Sequence, residues 1–379
     1  NQLPSQENNN LPEIKAIKPE DVPLLRWGGD KIIYTGSVAY NDWAMSYDID
    51  DEAISVDHFR GDTIRAAVTC TDSFVRVFQS NDNGMTSSNA IGWNVVGYVV
   101  YEPEIINDPD GRFYHVFCRS DRNNGDLLAI TDSTPGGWFA TWVENTADTS
   151  ANYTVCSDRA QWGGNYWLFC AFHKKLGGQG LDEIWFTRSL DLGVTWETPV
   201  LLQVNGSGFP DLAYGDNNYL YEAYYAHIST GPIRIITRRS SDEGANWFSS
   251  IVLLEDNTTK QGPQIAAAHD GSGDAWVTWP RRWPSAPYDY DLLWSWSQDF
   301  GATWSAWGFI AGSGYAQEVL PSIAIYDANT YYYPYVTYIS ADTDWVNPGV
   351  WLTTWQTDST WATAETYNDF APAFTRPIQ

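Results

Sequence analysis

The sequence predicts an all-β fold built from repeated four-stranded antiparallel sheets, and three observations carry that prediction. The first is a spaced turn signature. Ser80-Asn81-Asp82-Asn83-Gly84-Met85-Thr86, Ser189-Leu190-Asp191-Leu192-Gly193-Val194-Thr195-Trp196, Ser240-Ser241-Asp242-Glu243-Gly244-Ala245-Asn246-Trp247 and Ser297-Gln298-Asp299-Phe300-Gly301-Ala302-Thr303-Trp304 share one pattern. Thr131-Asp132 with Gly137-Trp138, and Thr357-Asp358 with Trp361, are degenerate copies. The aspartates fall at 82, 132, 191, 242, 299 and 358, which gives spacings of 50, 59, 51, 57 and 59. The second observation is that aromatic and β-branched runs precede each turn at matching places. The third is that no sustained 3.6-residue apolar period runs through the repeats. Repeated units of four strands are the signature of a β-propeller, here of six blades, because such a sheet buries both faces only against neighbours in a ring.

Within each unit the run nearest the turn is strand-like: Phe74–Phe78, Leu127–Ile130, Ile184–Thr187, Ile233–Thr237, Leu292–Trp296 and Val350–Thr354. A longer run precedes it: Ile64–Cys70, Phe113–Cys118, Tyr166–Phe172, Tyr219–Tyr225, Ala275–Trp279 and Tyr331–Ile339. A shorter apolar run comes first, as in Ile265–Ala268 and Ile323–Tyr326. Tight-turn residues such as Asp110-Gly111, Gly163-Gly164, Asp216-Asn217 and Asp270-Gly271 join the first two. A fourth run follows the turn, as in Pro199–Val204 and Ser250–Leu254. In the turn itself Asp caps backbone N–H groups, Gly permits positive φ, and Ser or Thr adds side-chain-to-backbone bonds. Asp82, Asp191, Asp242 and Asp299 are therefore expected to be structural. Residues 1–30, rich in Asn and Pro, read as a linker or an arm that docks on a neighbouring subunit. Residues 31–379 read as one propeller domain, with the strand-forming stretch 31–49 closing the ring.

Composition narrows the function classes. Of 379 residues, 21 are Lys or Arg and 47 are Asp or Glu, a formal charge of -26. Nucleic acid and anionic lipid both require a basic face, so neither is an expected partner. Aromatics make up 16%, with 21 Trp and 23 Tyr, which separates the chain from acidic disordered proteins and supplies a core. No run approaches the roughly 20 apolar residues of a membrane-spanning helix. The chain starts at Asn1 without a signal-peptide core, so it reads as processed or trimmed. The expected localisation is extracellular or at the cell surface.

The repeats resemble the Asp-box (BNR) repeats of the sialidase-like propeller superfamily over roughly residues 31–370. That resemblance implies the propeller more than any one activity, since similar boxes occur in sialidases, other glycosidases, sorting receptors and non-catalytic surface proteins. A sialidase, as the family implies, needs three arginines, an acid/base Asp, and a Tyr nucleophile assisted by Glu. The first arginine belongs to a Phe-Arg-Ile-Pro-like motif opening the first blade. Here that region reads Ile54-Ser55-Val56-Asp57-His58-Phe59-Arg60-Gly61, without the motif.

The face opposite the boxes would carry the starts of the innermost strands and the loops between second and third strands. Glu104, Asp211 and Glu318 are the candidate catalytic carboxylates there, as an acid and base whose pKa values burial would separate. Arg119, Arg122, His173, His227, Arg281, Arg282, Trp283 and Tyr288 are candidate ligand contacts. Arginine would meet a carboxylate bidentately, and the aromatics would stack on a sugar ring. Solvated ion pairs around a channel mouth are the alternative use of the same charges. The expected function is a non-catalytic binding or assembly protein whose partner is a glycan or an extracellular protein, with homo-assembly through the N-terminal arm. A glycoside hydrolase with carboxylates at the channel mouth is the alternative.

Cys156 and Cys170 flank the Gly163-Gly164 turn at similar distances, so a cross-strand disulfide between them is expected. Cys70 and Cys118 occupy matching positions in adjacent units and are expected as buried thiols. No Cys/His zinc spacing is present, and no cofactor is expected. Asp48–Glu52 and Asp108–Asp110 offer hard oxygens to calcium, though such runs are more often solvated turns.

Overall fold

The computed structural model describes residues 54–366, except 59–62, 70–73, 83–87, 96, 108–112, 122–124, 134–136, 145–148, 159–165, 177–180, 205–206, 228–230, 257–261, 270, 284–285, 313–315, 328–331, 343–348 and 356–359. The strands follow one another as antiparallel meanders of four. The first is β1 (Ile54–His58), β2 (Ile64–Thr69), β3 (Phe74–Ser80) and β4 (Ser88–Asn94). The second is β5 (Val100–Asn107), β6 (Phe113–Ser120), β7 (Leu127–Ser133) and β8 (Gly137–Glu144). The third is β9 (Thr149–Ser157), β10 (Leu168–Leu176), β11 (Leu181–Ser189) and β12 (Val200–Gln203). The fourth is β13 (Ser207–Tyr214), β14 (Leu220–His227), β15 (Ile233–Ser240) and β16 (Ile251–Asp256). Next come β17 (Gln264–Ala267), β18 (Ala275–Trp283), β19 (Ala286–Ser297) and β20 (Gly308–Ala311). The last is β21 (Ala316–Asp327), β22 (Tyr332–Asp342), β23 (Gly349–Thr354) and β24 (Glu365–Thr366). A parallel bridge between Tyr290 and Gln317 joins the last two meanders into one eight-stranded sheet. Helix among the described residues is limited to the 3₁₀ turn Asp216–Asn218.

First strands of successive meanders lie side by side: β1 by β5, β5 by β9, β9 by β13, β13 by β17 and β17 by β21. They form the inner layer. The core sits between meanders and not within one. Val77 packs with Val116 and Ile130, Phe117 with Cys170 and Phe172, Phe186 with Leu212 and Leu220, and Ile235 with Val277 and Trp279. Between the last two meanders five tryptophans meet. Trp276 and Trp294 have centroids 5.2 Å apart, Trp294 and Trp355 4.6 Å, and Trp355 and Trp361 5.5 Å, with Trp296 beside them. Removing one such ring from water stabilises the fold by a few kcal/mol, on the order of 25 cal/mol per Å² of apolar area.

Three of the signature turns share one hydrogen-bond set. In the turn after β15, Ser240 Oγ donates to Asp242 Oδ1 at 2.8 Å and accepts the Gly244 N–H at 2.9 Å. Asp242 accepts the Asn246 N–H and Nδ2, both at 2.8 Å. Ser189/Asp191/Gly193/Thr195 and Ser297/Asp299/Gly301/Thr303 repeat the pattern. Near β3, Ser80 Oγ donates to Asp82 Oδ1 at 2.7 Å. Two successive residues turn left-handed: Leu192 and Gly193 (φ 63 and 82), Glu243 and Gly244 (56 and 80), Phe300 and Gly301 (57 and 74). At Gly244 a Cβ would stand 2.4 Å from Phe186 Cζ of the preceding meander, so backbone and neighbouring ring both require glycine. Each turn is latched from that neighbour. Arg188 Nη1 donates to the Glu243 carbonyl at 2.8 Å, Arg239 Nη1 to the Phe300 carbonyl at 2.8 Å, and Thr141 Oγ1 to the Gly193 carbonyl at 2.7 Å.

One expectation is corrected, and three fall outside the described residues. Cys156 and Cys170 do not form a disulfide; both are free. Cys170 lies opposite Val155, and Cys156 opposite Phe169. This one-residue offset puts the two sulfurs on opposite faces of the sheet. Cys118 is a buried free thiol, as expected, and Cys70 lies outside the described residues. The stretch 31–49 and the linker 1–30 also lie outside them. The last meander draws all four of its strands from residues 316–366.

Candidate functional site

The inner strands share a local distortion. In β5, β13 and β21 the register shifts around Glu102-Pro103, Phe209-Pro210 and Leu320-Pro321. The residue before each proline has positive φ: 52 at Glu102, 53 at Phe209 and 53 at Leu320. The conformation is costly for non-glycine residues, by about 1–2 kcal/mol, and the bulge re-aims the side chain that follows the proline. That side chain is Glu104 in β5 and Asp211 in β13. Glu104 Oε1 accepts the Val155 N–H of β9 at 3.2 Å. Asp211 Oδ2 accepts the Ile265 N–H of β17 at 2.7 Å, and its Oδ1 the Thr154 hydroxyl of β9 at 3.0 Å. Two of the three candidate catalytic carboxylates therefore bind the backbone of the neighbouring inner strand. Burial raises the Asp211 pKa to about 6, against the pull of those hydrogen bonds.

The candidate cations are paired separately. Arg119 and Glu102 are buried, with Nη1 2.8 Å from both carboxylate oxygens, and the guanidinium lies 5.1 Å from the Tyr101 ring centroid. His173 is buried with Nε2 3.3 Å from Asp182 Oδ2. Its neighbour Lys174 is buried, with Nζ 3.2 Å from Glu144 Oε1. His227 is exposed at the end of β14. Arg281 Nε is 2.8 Å from Asp256 Oδ2. Arg119 and Arg281 thus each have their own carboxylate. Arg122 and the side chain of Tyr288 lie outside the described residues.

Glu318 is brought together with part of the predicted ligand set. Past Trp279, β18 runs on through Arg281, Arg282 and Trp283, and β19 returns through Asp289, Tyr290 and Asp291. Arg281 faces Asp291 across this hairpin, and Arg282 faces Tyr290. The Arg281 guanidinium lies 4.2 Å from the Trp283 ring centroid and 5.3 Å from that of Trp307. Trp283 Nε1 donates to Asp291 Oδ2, and its ring stacks at 6.4 Å on Phe309, which is 48% exposed. Glu318, at the start of β21, completes a carboxylate group with Asp289 and Asp291 in which one oxygen of each lies within 4.8 Å of the others. Burial raises the pKa of both aspartates; for Asp291 the nearby Trp283 and Arg281 pull the other way. Asp291 and Glu318 are buried and Asp289 is half-buried. Such a cluster offers acceptors to hydroxyl groups beside an aromatic face. The three carboxylates carry six oxygens in all and are the described residues that could hold a hard cation such as calcium, which takes about 6–8 oxygens including water.

Sequence reasoning did not single out Asp289, Asp291, Trp307 or Phe309. The Tyr288-Asp289-Tyr290-Asp291 alternation was the available signal, because a period of two puts both carboxylates on one strand face.

No family model and no curated protein matches the chain. Solved structures do. The fucose-specific lectin of Aleuria aurantia is 13% identical, with 85% of this chain and 97% of the lectin covered at a TM-score of 0.50. A variant of the NanB sialidase of Streptococcus pneumoniae is 11% identical over 86% of this chain and 69% of the sialidase, TM-score 0.51. An ulvan lyase is 12% identical over 78% of this chain and 76% of the lyase, TM-score 0.54. Among the described residues no helix is long and apolar enough to cross a membrane. At such low identity these likenesses bear on fold alone, and the fold this chain shares with them is the β-propeller.

Proposed function

We propose that the chain is a six-bladed Asp-box propeller that acts outside the cell as a non-catalytic glycan-binding protein, meeting its ligand at the Trp283 cluster. The observation that carries this reading is how the polar groups are used. Glu104 and Asp211 are occupied by main-chain N–H groups, and Arg119 and Arg281 by their own carboxylates. At the β18–β19 hairpin Asp289, Asp291 and Glu318 gather beside Trp283, whose Nε1 donates to Asp291. An aromatic face with flanking acceptors suits an uncharged sugar, whose C–H face stacks while its hydroxyls donate. A formal charge of -26 disfavours anionic glycans. Binding to an array of neutral glycans, lost in Trp283→Ala and Asp291→Asn, is the expected result. An array on which wild type and Trp283→Ala give the same signals contradicts it.

A glycoside hydrolase is favoured by one observation, the proximity of Asp289, Asp291 and Glu318, with both aspartates held toward their protonated forms. Release of reducing sugar from a neutral glycan, abolished by Asp291→Asn or Glu318→Gln, would establish that reading in place of the first.

A further inference from the structure

At the opposite end of the strands from the Trp283 cluster, a cavity of about 120 Å³ opens between the third and fourth meanders. Phe186, Arg188, Glu197, Thr198, Val200 and Ala245 are among its lining residues. Arg188 is fixed from two directions. Its Nε donates to Glu197 Oε2 at 2.8 Å and its Nη2 to Oε1 at 3.4 Å. Its Nη1 donates to the carbonyls of Asp242 at 3.4 Å and Glu243 at 2.8 Å. A guanidinium has five N–H donors, so one on Nη2 is left over from this set. The Trp167 ring centroid lies 5.4 Å from the guanidinium carbon, which orients the group further. The Glu197 side chain is 49% exposed, and each of its oxygens keeps a lone pair beyond the Arg188 bonds. Donor and acceptor therefore stand side by side, already oriented, at the rim of the cleft. Val200, 49% exposed, supplies an apolar side.

The lining sets the ligand class. A carboxylate on the rim disfavours anions, and the guanidinium beside it disfavours cations. Hydroxyl groups both donate and accept, so adjacent hydroxyls match the pair. The cavity is smaller than the roughly 300–1,000 Å³ that hold drug-sized ligands, which limits the occupant to one small ring. We propose that this cleft binds a single uncharged sugar ring, with neighbouring hydroxyls on the Arg188–Glu197 pair and a C–H face against Val200. This site is separate from the Trp283 cluster and does not depend on it.

Saturation-transfer NMR of the full chain with methyl glycosides of neutral hexoses and deoxyhexoses tests the assignment. Glu197→Gln weakens the acceptor without emptying the cleft, and Ala245→Trp fills the cleft from its exposed rim. At least one glycoside should bind, with affinity down about tenfold or more in Glu197→Gln. Measured in a Trp283→Ala background, where the Trp283 cluster does not contribute, its signal should persist, and it should be absent when Ala245→Trp is added. The proposal is overturned if no glycoside binds in the Trp283→Ala background, if binding there survives Ala245→Trp, or if adding Glu197→Gln leaves it unchanged.

Discussion

The Asp211 carboxylate accepts the main-chain N–H of Ile265 at 2.7 Å, across the boundary between two meanders. With the Thr154 hydroxyl on its other oxygen, this one side chain ties together β9, β13 and β17. Asp211→Ala should leave the Ile265 N–H without its acceptor and lower stability by about 1–3 kcal/mol in urea unfolding. Asp211→Asn keeps an acceptor for Ile265 and gains a donor toward Thr154, so its midpoint should stay near wild type.

The signature turns make a second test. Asp242→Ala removes the acceptor of two Asn246 bonds and one Ser240 bond, and should cost about 1–3 kcal/mol. Gly244→Ala should cost at least as much, because φ is +80° and the new Cβ would meet Phe186 Cζ at 2.4 Å. Thermal melting of both variants checks this. A Gly244→Ala protein as stable as wild type would contradict the close packing of turn and neighbouring ring.

Buried ionisable groups give the fold a pH window. Glu222 is fully buried, neither of its oxygens has a hydrogen-bond partner among the described residues, and burial pushes its pKa up to about 8 despite Arg238 nearby. The folded state thus holds a proton that the unfolded chain releases near pH 4.5. This contribution to stability is full below that point and is lost as pH rises through about 8. Asp211 acts in the same direction between 3.8 and about 6. His115, buried with Nδ1 3.0 Å from Thr131 Oγ1, has its pKa lowered from 6.5 to about 3 by burial. Its contribution is full above 6.5 and is lost as pH falls toward 3. Glu222→Gln should flatten the alkaline limb of the stability profile, and His115→Gln the acid limb, as measured by unfolding at a series of pH values.

The free thiols make a fourth prediction. Reductant should leave the melting temperature unchanged, and peptide mapping without reduction should recover Cys156 and Cys170 in separate unlinked peptides. A linked pair would require β9 and β10 to shift by one residue, against the register the core enforces.

Much of the strand order was legible in the sequence, because each strand follows an aromatic or β-branched run that packs against the next meander. Ile233–Thr237, for example, lies within the observed Ile233–Ser240. The predicted run Ala275–Trp279 stops short of the observed Ala275–Trp283 for a physical reason. Past Trp279 the strand leaves the core, and Arg281 to Trp283 are held by pairing across the hairpin and not by burial. Hydrophobic patterning is blind to that segment, which carries the proposed ligand site. Glu104 and Asp211 lie on the first strands β5 and β13, but the Pro-linked bulges that turn them toward neighbouring backbone depend on register, which the sequence does not show. The disulfide expectation failed for the same reason, since distance from a turn counts residues but does not fix which ones stand opposite.

A division of roles follows: Glu104 and Asp211 hold the inner strands together, and the Trp283 cluster is the proposed ligand site. Glycan affinity of Trp283→Ala beside that of Asp211→Asn, on proteins of matched melting temperature, measures it most directly. At least a tenfold loss is expected for Trp283→Ala and wild-type affinity for Asp211→Asn. Undiminished affinity in Trp283→Ala, or a glycan-cleaving activity abolished by Asp211→Asn in a folded protein, would contradict it.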